Sequence, residues 1–519
     1  MTSQVVERYE NIIKPGKNCI GTFDVQETGL LIDACDYYRA FYHAALQARH
    51  YLLMAGWQFD TEVRLLRGSE AEKAGGEVRF LPFLESLCER NPNLEIYILA
   101  WDFSMWFMME REWFQDFIIN WSGNGRIRFR FDGKHSLGAT HHQKFIVIDG
   151  TIAFLGGLDI CSDRWDDRRH LYENPERKNV DGNSYGAYHD IQSYHTGPLV
   201  KELVELFKQR WLDSGAGMLR LSPSRGSITP AKAGSLPLDS RRVALSRTQI
   251  KDSRSPADSI REIRRLFVDA IIAADELIYL ENQYFSSQAL YLALINRMME
   301  TSRSRLQVIM ILPDRLPATE EMFIGVQQVK MLRSLLAVAA KTGHFLGVYS
   351  TECTEYGKRK TTFIHSKLLL VDDRFLTVGS ANTTNRSLGL DTELNASWEA
   401  TPSEKEGLIE SIRRVRISLL AEHVGFADGE DLGMLKNVDG LVGRLNVLAA
   451  DAETRLCRRW PELTIEDSNW MNALAPISHV VDPDKPVVEE LIYEYFSGYE
   501  TSLFARGILL LSQWLSGIL

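Results

Sequence analysis

The chain has 519 residues, of which 45% are hydrophobic and 25% charged, a balance typical of globular proteins that excludes wholesale disorder and collagen-like repeats. Its formal net charge of −10 counts against a protein whose main task is to coat a nucleic-acid backbone, because such proteins carry a basic excess. The six cysteines stand singly, without a Cys-x-x-Cys pair, which argues against a disulfide scaffold or a zinc ribbon and fits a reducing compartment.

The chain also lacks the usual marks of membrane insertion or secretion. No apolar run reaches the roughly 18 residues of a spanning helix. Residues 1–8 have no basic region followed by an apolar run, as a signal peptide would. We therefore expect no transmembrane span and a location in the cytoplasm or peripheral to a membrane. Export by a route that needs no signal peptide stays open.

Short apolar strands alternate with helical stretches in chain order. The pattern predicts a strand at Ile96–Leu99, a second at Val308–Leu312, and a helix over Val326–Ala340 that Gly343 closes. Residues 222–258 are rich in Ser, Pro, Gly and Arg with little periodicity, and we interpret them as a linker. The alternation predicts an α/β fold with helices covering a mixed sheet.

The two halves of the chain repeat the same landmarks. Residues 140–159 are THHQKFIVIDGTIAFLGGLD, and residues 364–382 are IHSKLLLVDDRFLTVGSAN. Four pairs of residues are separated by the same interval along the chain: His142 and His365, Lys144 and Lys367, Asp149 and Asp372, and Gly156 and Gly379. Several landmarks in one order indicate a tandem duplication. We expect a first domain at 1–221, the linker at 222–258, a second domain at 259–425 and a helical C-terminal extension at 426–519.

Each repeat carries a His-x-Lys pair ahead of a hydrophobic strand. Side chains alternate faces along extended chain, so His142 and Lys144 project to one side, and Asp149 has the opposite parity. We therefore interpret Asp149 as a turn residue with a structural role. An imidazole with an ammonium beside it suits binding and attack of a phosphate.

Small and amide residues follow each motif. Gly157 and Ser380 stand at matching positions, where a ligand can approach the backbone closely, and Asn382 follows with an amide that can donate to the same ligand. We predict that these three residues bind the substrate phosphate.

Both motifs match H-x-K-x-x-x-x-D, and the chain from about residue 49 to 425 resembles the phospholipase D superfamily. Finer features resemble the true phospholipases D more than the small nucleases: residues 154–161 (FLGGLDIC), 278–283 (IYLENQ) and 379–382 (GSAN). The resemblance implies two α/β/α-sandwich domains related by a pseudo-twofold axis, with one active site at their interface.

The resemblance also implies the chemistry. One histidine forms a phosphohistidine, for which we favour His142, and His365 then acts as acid and base. Lys144, Lys367 and Asn382 would hold the phosphate oxygens. A carboxylate downstream of each motif would fix each imidazole, and the candidates are Asp190, which follows His142, and Glu393, which follows His365. No metal or other cofactor is expected.

The expected partner is a phospholipid at a membrane surface, without an obligatory nucleic acid, and the expected state is a monomer with an internal pseudo-dimer.

Three segments of the chain each allow two interpretations. Trp101–Trp121 is an acyl-chain surface or an aromatic core helix, and Ser502–Leu519 lies in a membrane interface or packs on the body. The insertion Arg168–Tyr188 edges the site or is a surface loop.

Two alternative functions stay open. One is a phosphatidyltransferase like the cardiolipin synthases. The other is a phosphodiester nuclease acting as a toxin or defence protein, for which the basic Lys358–Lys360 before the second motif is the best support.

Overall fold

A computed structural model describes the chain in ten stretches. They are residues 11–101, 125–135, 139–222, 226–250, 259–316, 324–355, 358–401, 405–426, 432–459 and 482–483. Most of the aromatic segment Trp101–Trp121 and the whole tail Ser502–Leu519 lie outside these stretches, so both predictions stand as predictions.

The strands are, in chain order, β1 (Gly21–Asp24), β2 (Thr28–Ile32), β3 (Tyr51–Gly56), β4 (Glu95–Trp101), β5 (Ile127–Asp132), β6 (Phe145–Ile148), β7 (Ile152–Gly156), β8 (Tyr188–His189), β9 (Ile191–Thr196), β10 (Leu236–Pro237), β11 (Arg242–Ile250), β12 (Ser259–Arg261), β13 (Leu277–Glu281), β14 (Gln307–Ile311), β15 (Phe345–Glu355), β16 (Lys358–Thr361), β17 (Phe363–Ile364), β18 (Leu368–Val371), β19 (Phe375–Gly379), β20 (Glu393–Glu399) and β21 (Leu456–Arg458). The helices are α1 (Asp33–Ala45), α2 (Gly68–Ala74), α3 (Phe80–Arg90), α4 (Leu199–Trp211), α5 (Glu262–Ala273), α6 (Gln288–Met299), α7 (Val326–Thr342), α8 (Asn385–Gly389), α9 (Lys405–Val424), α10 (Gly433–Lys436) and α11 (Leu441–Leu448), with a π-helical turn at Leu212–Ala216.

Two mixed sheets form the body of the protein. The first has the order β10-β2-β9-β7-β6-β3-β4-β5, and the second has the order β1-β11-β20-β19-β18-β13-β14-β15-β16. Position by position, the two orders match through the first eight strands. Register matches too, since Ile148 of β6 pairs with Leu52 and Ile152, while Val371 of β18 pairs with Ile278 and Phe375. The predicted α/β fold is confirmed, and the shared strand order is what a tandem duplication produces.

Helices cover both faces of each sheet. On the first sheet, α1 and α3 pack on one face and α4 on the other, and on the second sheet α5, α6 and α7 pack on one face and α9 on the other. The facing sides of the two sheets share one hydrophobic core that contains residues of both, such as Leu53 and Leu370. Helix α7 ends where the sequence predicts, because Gly343 adopts a left-handed conformation, with φ 78°, that favours glycine.

The predicted domain boundaries need correction at two places. Residues 222–258 are not a simple linker, because β10 completes the first sheet and β11, nine residues long, is a strand of the second. The first domain, predicted as 1–221, likewise gives β1 to the second sheet, where Gly21–Asp24 pairs with β11. Sequence composition missed β11 because its apolar run, Val243–Leu245, is short and is followed by buried Ser246 and Thr248, which alternate with Arg247 and Gln249.

The described part of the C-terminal extension packs against the second sheet. Strand β21 pairs with β15, and α10 and α11 add Leu435, Leu441 and Leu445 to the shared core. Within the ten described stretches, no helix combines the length and hydropathy that crossing a membrane requires.

Candidate active site

Two equivalent junctions between the halves place the candidate histidines. Strand β17 of the second half pairs in parallel with β8 of the first, and the backbone N–H of His365 donates to the His189 carbonyl at 2.8 Å. At the matching point, the backbone N–H of His142 donates to the Thr392 carbonyl at 2.9 Å. The same contact is therefore made twice, and both imidazoles lie at the boundary between the halves.

Each imidazole is held by a carboxylate of the other half. His142 Nδ1 lies 3.1 and 3.0 Å from the two oxygens of Glu393, and His365 Nδ1 lies 2.5 Å from Asp190 Oδ2. Chain order suggested the opposite pairing, in which each carboxylate serves the motif upstream of it. The pairs cross because each junction places a carboxylate of one half next to the histidine of the other half. Glu393, at the start of β20, lies next to His142, and Asp190, just before β9, lies next to His365. Both carboxylates are fully buried.

Glu393 is fixed by Ser380 as well as by His142. The Ser380 hydroxyl donates to a Glu393 oxygen. Burial, together with the charge of Asp391, raises the pKa of Glu393 to about 8. The hydroxyl proton of Ser380 is thus directed to the carboxylate, and its contact with the substrate phosphate stays a prediction.

Asp190 has a different support. The backbone N–H of Ile191 donates to Asp190 Oδ1 at 2.7 Å, and burial raises the pKa of Asp190 to about 7. Gly157 lies against this carboxylate so closely that a Cβ there would be 2.2 Å from Oδ1. Gly157, predicted to face the phosphate, thus makes room for Asp190.

The two lysines have unequal surroundings. Lys144 Nζ donates to the carbonyl of His142, and Lys367 Nζ donates to that of His365. Lys144 Nζ also lies 3.2 Å from Asp159 Oδ2, whereas Lys367 has no ion pair in the described residues. At the position equivalent to Asp159 stands Asn382, which is buried and whose Oδ1 lacks a hydrogen-bond partner among the described residues. Burial lowers the pKa of Lys367 to about 7, although Asp190 opposes the shift.

Both histidines are neutral in this environment. Burial is the main cause that lowers the pKa of His142, followed by the charges of Lys144 and Lys367. The pKa of His365 is lowered in the same way by burial and then by Lys367 and Arg164. With Nδ1 held by a carboxylate, each ring keeps the Nε2 lone pair for other chemistry.

Asp149 has the structural role that we predicted from its position on the opposite face of the extended chain from His142 and Lys144. Its carboxylate accepts from the backbone N–H groups of Arg49, His50 and Tyr51 at 2.7 to 2.8 Å, which anchors the start of β3. Asp372 does the same before β13. The prediction that the aspartate of the motif is structural is confirmed.

A second cluster of ionisable side chains lies buried beside the first junction. Glu422 Oε1 is 2.8 Å from His189 Nδ1 and 3.1 Å from His170 Nε2. Asp33 completes the group, with Oδ1 3.1 Å from His189 Nδ1 and Oδ2 3.4 Å from His170 Nε2. All four donor atoms lie within 4.8 Å of one another.

The second nitrogen of each of these imidazoles also meets a carboxylate. His170 Nδ1 lies 2.9 Å from Asp166, and His189 Nε2 lies 3.0 Å from Glu281. The cluster offers two nitrogen and two oxygen donors, but a divalent cation would have to displace the protons that the surrounding carboxylates favour on the imidazoles. Burial disfavours a charged His170, but the carboxylates of Asp33, Asp166 and Glu422 outweigh it and raise the pKa of His170 to about 10.

The cluster was missed from the sequence because its members come from distant segments. His170 belongs to the insertion Arg168–Tyr188, which we predicted as a surface loop or an edge of the site, yet His170 and Arg177 are buried in it. The available signal was Glu281, which lies in the quoted segment 278–283 and accepts from His189 and Ser366.

Comparisons with known proteins found several similar sequences. The family model described as cardiolipin synthase, PLD-like domain, matches residues 267–411. Phospholipase D alpha 3 of Arabidopsis thaliana is 23% identical over 519 aligned residues, which cover 74% of this chain and 62% of that protein. Phospholipase D alpha 2 of Oryza sativa subsp. japonica is 22% identical, over 79% of this chain and 67% of that protein.

Among solved structures, phosphatidylserine synthase of Haemophilus influenzae Rd KW20 aligns with 83% of this chain and 95% of its own length, at 11% identity and a TM-score of 0.48. The chain spans 62% of the length of the Arabidopsis relative. The sequence relatives, the matched domain model and the two complete motifs together support placing the chain in the phospholipase D superfamily.

Proposed function

We propose that this protein is a phospholipase D-type phosphodiesterase that hydrolyses glycerophospholipids to phosphatidic acid and a free headgroup, and that transfers the phosphatidyl group to alcohols. The crossed pairing of His142 with Glu393 and of His365 with Asp190 supports this most. It supplies two imidazoles at one boundary, each with a fixed tautomer and an Nε2 that has no hydrogen-bond partner among the described residues. The names of the sequence relatives point to the same reaction.

In the proposed first step, His142 Nε2 attacks phosphorus and the bond to the headgroup oxygen breaks. His365, protonated at Nε2, gives its proton to that oxygen, so the headgroup leaves as a neutral alcohol. The negative charge of the bound phosphodiester favours the protonated form of His365 at this stage. Lys144, Lys367 and Asn382 donate to the non-bridging oxygens and stabilise the charge that develops there.

In the second step, His365 takes a proton from water or from an alcohol, and the resulting oxygen attacks the phosphohistidine. The phosphorus–nitrogen bond breaks and His142 becomes neutral again. Glu393 stabilises the positive charge that His142 carries between the steps, as the buried acid does in a serine-protease triad. Every proton in this scheme moves on an imidazole, so we assign no metal or cofactor to the reacting phosphate.

We further propose that the protein works at a phospholipid surface as a monomer whose two halves act as an internal dimer, in the cytoplasm or peripherally on a membrane. Support comes from the two junctions, which complete the site within one chain.

A product-ratio experiment tests the proposed function. Purified protein is given phospholipid with increasing ethanol, and phosphatidic acid and phosphatidylethanol are measured together. A covalent intermediate divides between water and ethanol, so phosphatidylethanol rises while total turnover stays constant. Phosphatidic acid alone at high ethanol would contradict an open covalent site, and no cleavage of any phospholipid would reject the proposal.

Two alternatives are tested in the same assay. The family model that matches the second half is described as cardiolipin synthase, which makes a phosphatidyltransferase the first alternative. Product formed from phosphatidylglycerol as the accepting alcohol, with negligible hydrolysis, would favour it. The exposed basic strand β16 supports the nuclease alternative, and nicking of plasmid DNA without phospholipid cleavage would favour that one.

A further inference from the structure

Arg164 is a cation near the active site that forms no ion pair within the described residues, although the negative charge of Asp159 acts on it. Its guanidinium carbon lies 5.0 Å from the centre of the Tyr188 ring, and no described residue accepts a hydrogen bond from it or forms an ion pair with it. Other arginines of this region are neutralised, since Arg168 pairs with Glu422 and Arg177 pairs with Asp166. A partly buried guanidinium that donates no hydrogen bond within the protein keeps its donors for an anion of a ligand.

Tyr188 provides a second unsatisfied group at the same place. Its side chain is buried, with 6% of the residue exposed, and its hydroxyl has no hydrogen-bond partner among the described residues. Buried hydroxyls normally find a partner. Because the guanidinium lies over the ring that carries this hydroxyl, we take the two groups together as one candidate position for a polar group of a ligand.

This position lies on the His365 side of the active site. The Tyr188 ring is 5.4 Å from the His365 ring, and β8, which carries Tyr188, pairs with β17 immediately before His365. Arg164 is also one of the charges that lower the pKa of His365, whereas the cations that act most on His142 are Lys144 and Lys367.

We propose that Arg164 and the Tyr188 hydroxyl bind a second acidic group, a carboxylate or a phosphate, carried by the leaving headgroup. The inference rests on the proposed function, because His365 is taken there as the acid that protonates the headgroup oxygen. The phosphodiester itself is served by Lys144, Lys367 and Asn382, so Arg164 is left for another anion. Its planar donor fork suits a carboxylate or phosphate, and it repels a choline or ethanolamine cation. The enzyme therefore prefers acidic headgroups.

Turnover of two lipids tests the preference. Phosphatidylserine and phosphatidylcholine are compared at low mole fraction in micelles of neutral detergent, which keeps the surface charge nearly constant. We expect a kcat/KM for phosphatidylserine about tenfold or more above that for phosphatidylcholine. Arg164→Gln should lower the phosphatidylserine value by about tenfold or more and the phosphatidylcholine value by less than about threefold, and Tyr188→Phe should act in the same direction with a smaller effect.

Two controls separate charge from recognition. Arg169→Gln removes a cation of the same region that is exposed and paired with Asp167, and it should change neither value. Arg164→Lys keeps the charge and loses the fork, so it should fall between wild type and Arg164→Gln. Equal losses on both lipids in Arg164→Gln would overturn the proposal, as would no loss on either.

A binding measurement keeps this inference distinct from the proposed function. Calorimetry on His142→Asn protein compares phosphoserine, phosphocholine and glycerol bisphosphate without turnover. We expect phosphoserine or the bisphosphate to bind about tenfold more tightly than phosphocholine, with the difference lost in the His142→Asn, Arg164→Gln double variant. The tighter of the two identifies the acidic group as carboxylate or phosphate. If wild type cleaves no phospholipid and this preference persists, the proposed function fails and the anion site stands. Equal binding of all three compounds overturns the site.

Discussion

The two halves share a sheet order and a crossed histidine–carboxylate pair, but they differ in the charge around the lysine. Lys144 is neutralised by Asp159 at 3.2 Å, whereas the matching position beside Lys367 holds the uncharged Asn382. The duplicated fold therefore preserves the geometry of the imidazoles, but the distribution of charge around the two lysines is unequal. A phosphate placed between the halves meets an unpaired ammonium and an amide on one side, and a compensated ammonium on the other.

The two junctions differ as well. Thr392 supplies the carbonyl for His142, and His189 supplies the carbonyl for His365. Only His189, of these two, also enters the buried cluster with Asp33 and Glu422. One junction is thus a plain backbone contact, and the other is tied to a network of charges that joins both halves.

The largest effect should come from the histidines that the comparison treats as equivalent. His142→Asn and His365→Asn should each reduce turnover by about four orders of magnitude or more with the fold retained, because each removes a step that nothing else performs. Acid quenching with phosphorus-labelled substrate distinguishes them. Label on His142 is expected, label on His365 would reverse the two roles, and label on neither would contradict a covalent intermediate.

Replacing His189 by threonine, the residue type at the matching position of the other junction, should lower the free energy of unfolding. His189→Thr removes one imidazole from Asp33, Glu281 and Glu422, although His170 and His423 still contact them. Breaking a buried ionic group costs about 3–5 kcal/mol. Thr392→Val, the matched change at the other junction, should cost less than about 1 kcal/mol. Calorimetric unfolding measures the loss of stability in both variants. If the cluster holds a cation, a chelator should lower the Tm of wild type but not that of His189→Thr. Equal losses in the two variants would show that the junctions are equivalent after all.

Exchanging the residues beside the lysines tests the charge asymmetry directly. Asn382→Asp places a second carboxylate at the phosphate and should lower kcat/KM by about 10²–10³, because it removes an amide donor and adds repulsion. Asp159→Asn should change kcat/KM by less than about tenfold. Steady-state kinetics on both variants decides, and the opposite order of sensitivity would place the phosphate nearer Lys144.

Glu393→Gln should separate catalysis from stability. The variant keeps the shape of the side chain but loses the charge that stabilises the His142 imidazolium, so kcat should fall about 10²-fold with KM within about threefold. Asp190→Asn should lose a similar factor if the halves are equal.

The pH dependence of stability gives an independent readout of Glu393. Its pKa rises on folding from 4.5 to about 8, so folding favours the protonated form. That stability is fully present below pH 4.5 and is lost as the pH rises through about 8. Glu393→Gln lacks this loss and should gain about 1–3 kcal/mol relative to wild type between pH 5 and pH 8. Parallel stability curves for the two proteins would contradict the raised pKa.

The smallest effect should come from the residues that support the carboxylates. Ser380→Ala removes one hydrogen bond to Glu393 and should lower kcat by about tenfold or less. Gly157→Ser makes the first half resemble the second, but its Cβ would lie 2.2 Å from Asp190, so it should lower kcat more than Ser380→Ala does. If Gly157→Ser were fully active, the close contact between Gly157 and the Asp190 carboxylate would not be needed for catalysis.

The sequence predicted the parts of this molecule that repeat. The constant interval between matching residues located both motifs and indicated equivalent halves, and hydrophobic runs located β4, β14 and α7 closely. Parity along the strand was enough to predict that Asp149 is structural. These features depend on local periodicity and spacing, which a single chain displays.

What the sequence could not predict depends on contacts between distant segments. Nothing in the order of residues indicates that Glu393 faces His142 rather than His365, because that choice is made by the junctions. Strand β11 was missed because tertiary burial, not an apolar run, stabilises it. The cluster around His189 was missed because its donors come from four separate segments, which spacing rules for metal ligands do not cover.

The crossed pairing also has a consequence for synthesis. During translation His142 emerges well before its carboxylate, which lies 251 residues later in the chain. Until the ribosome has passed β20, the first half has an imidazole with no group to fix its tautomer, however well its own sheet has formed. Under the proposed function, a chain that ends before Glu393 therefore lacks one of the two fixed imidazoles, so the crossed pairing makes catalysis depend on synthesis of β20.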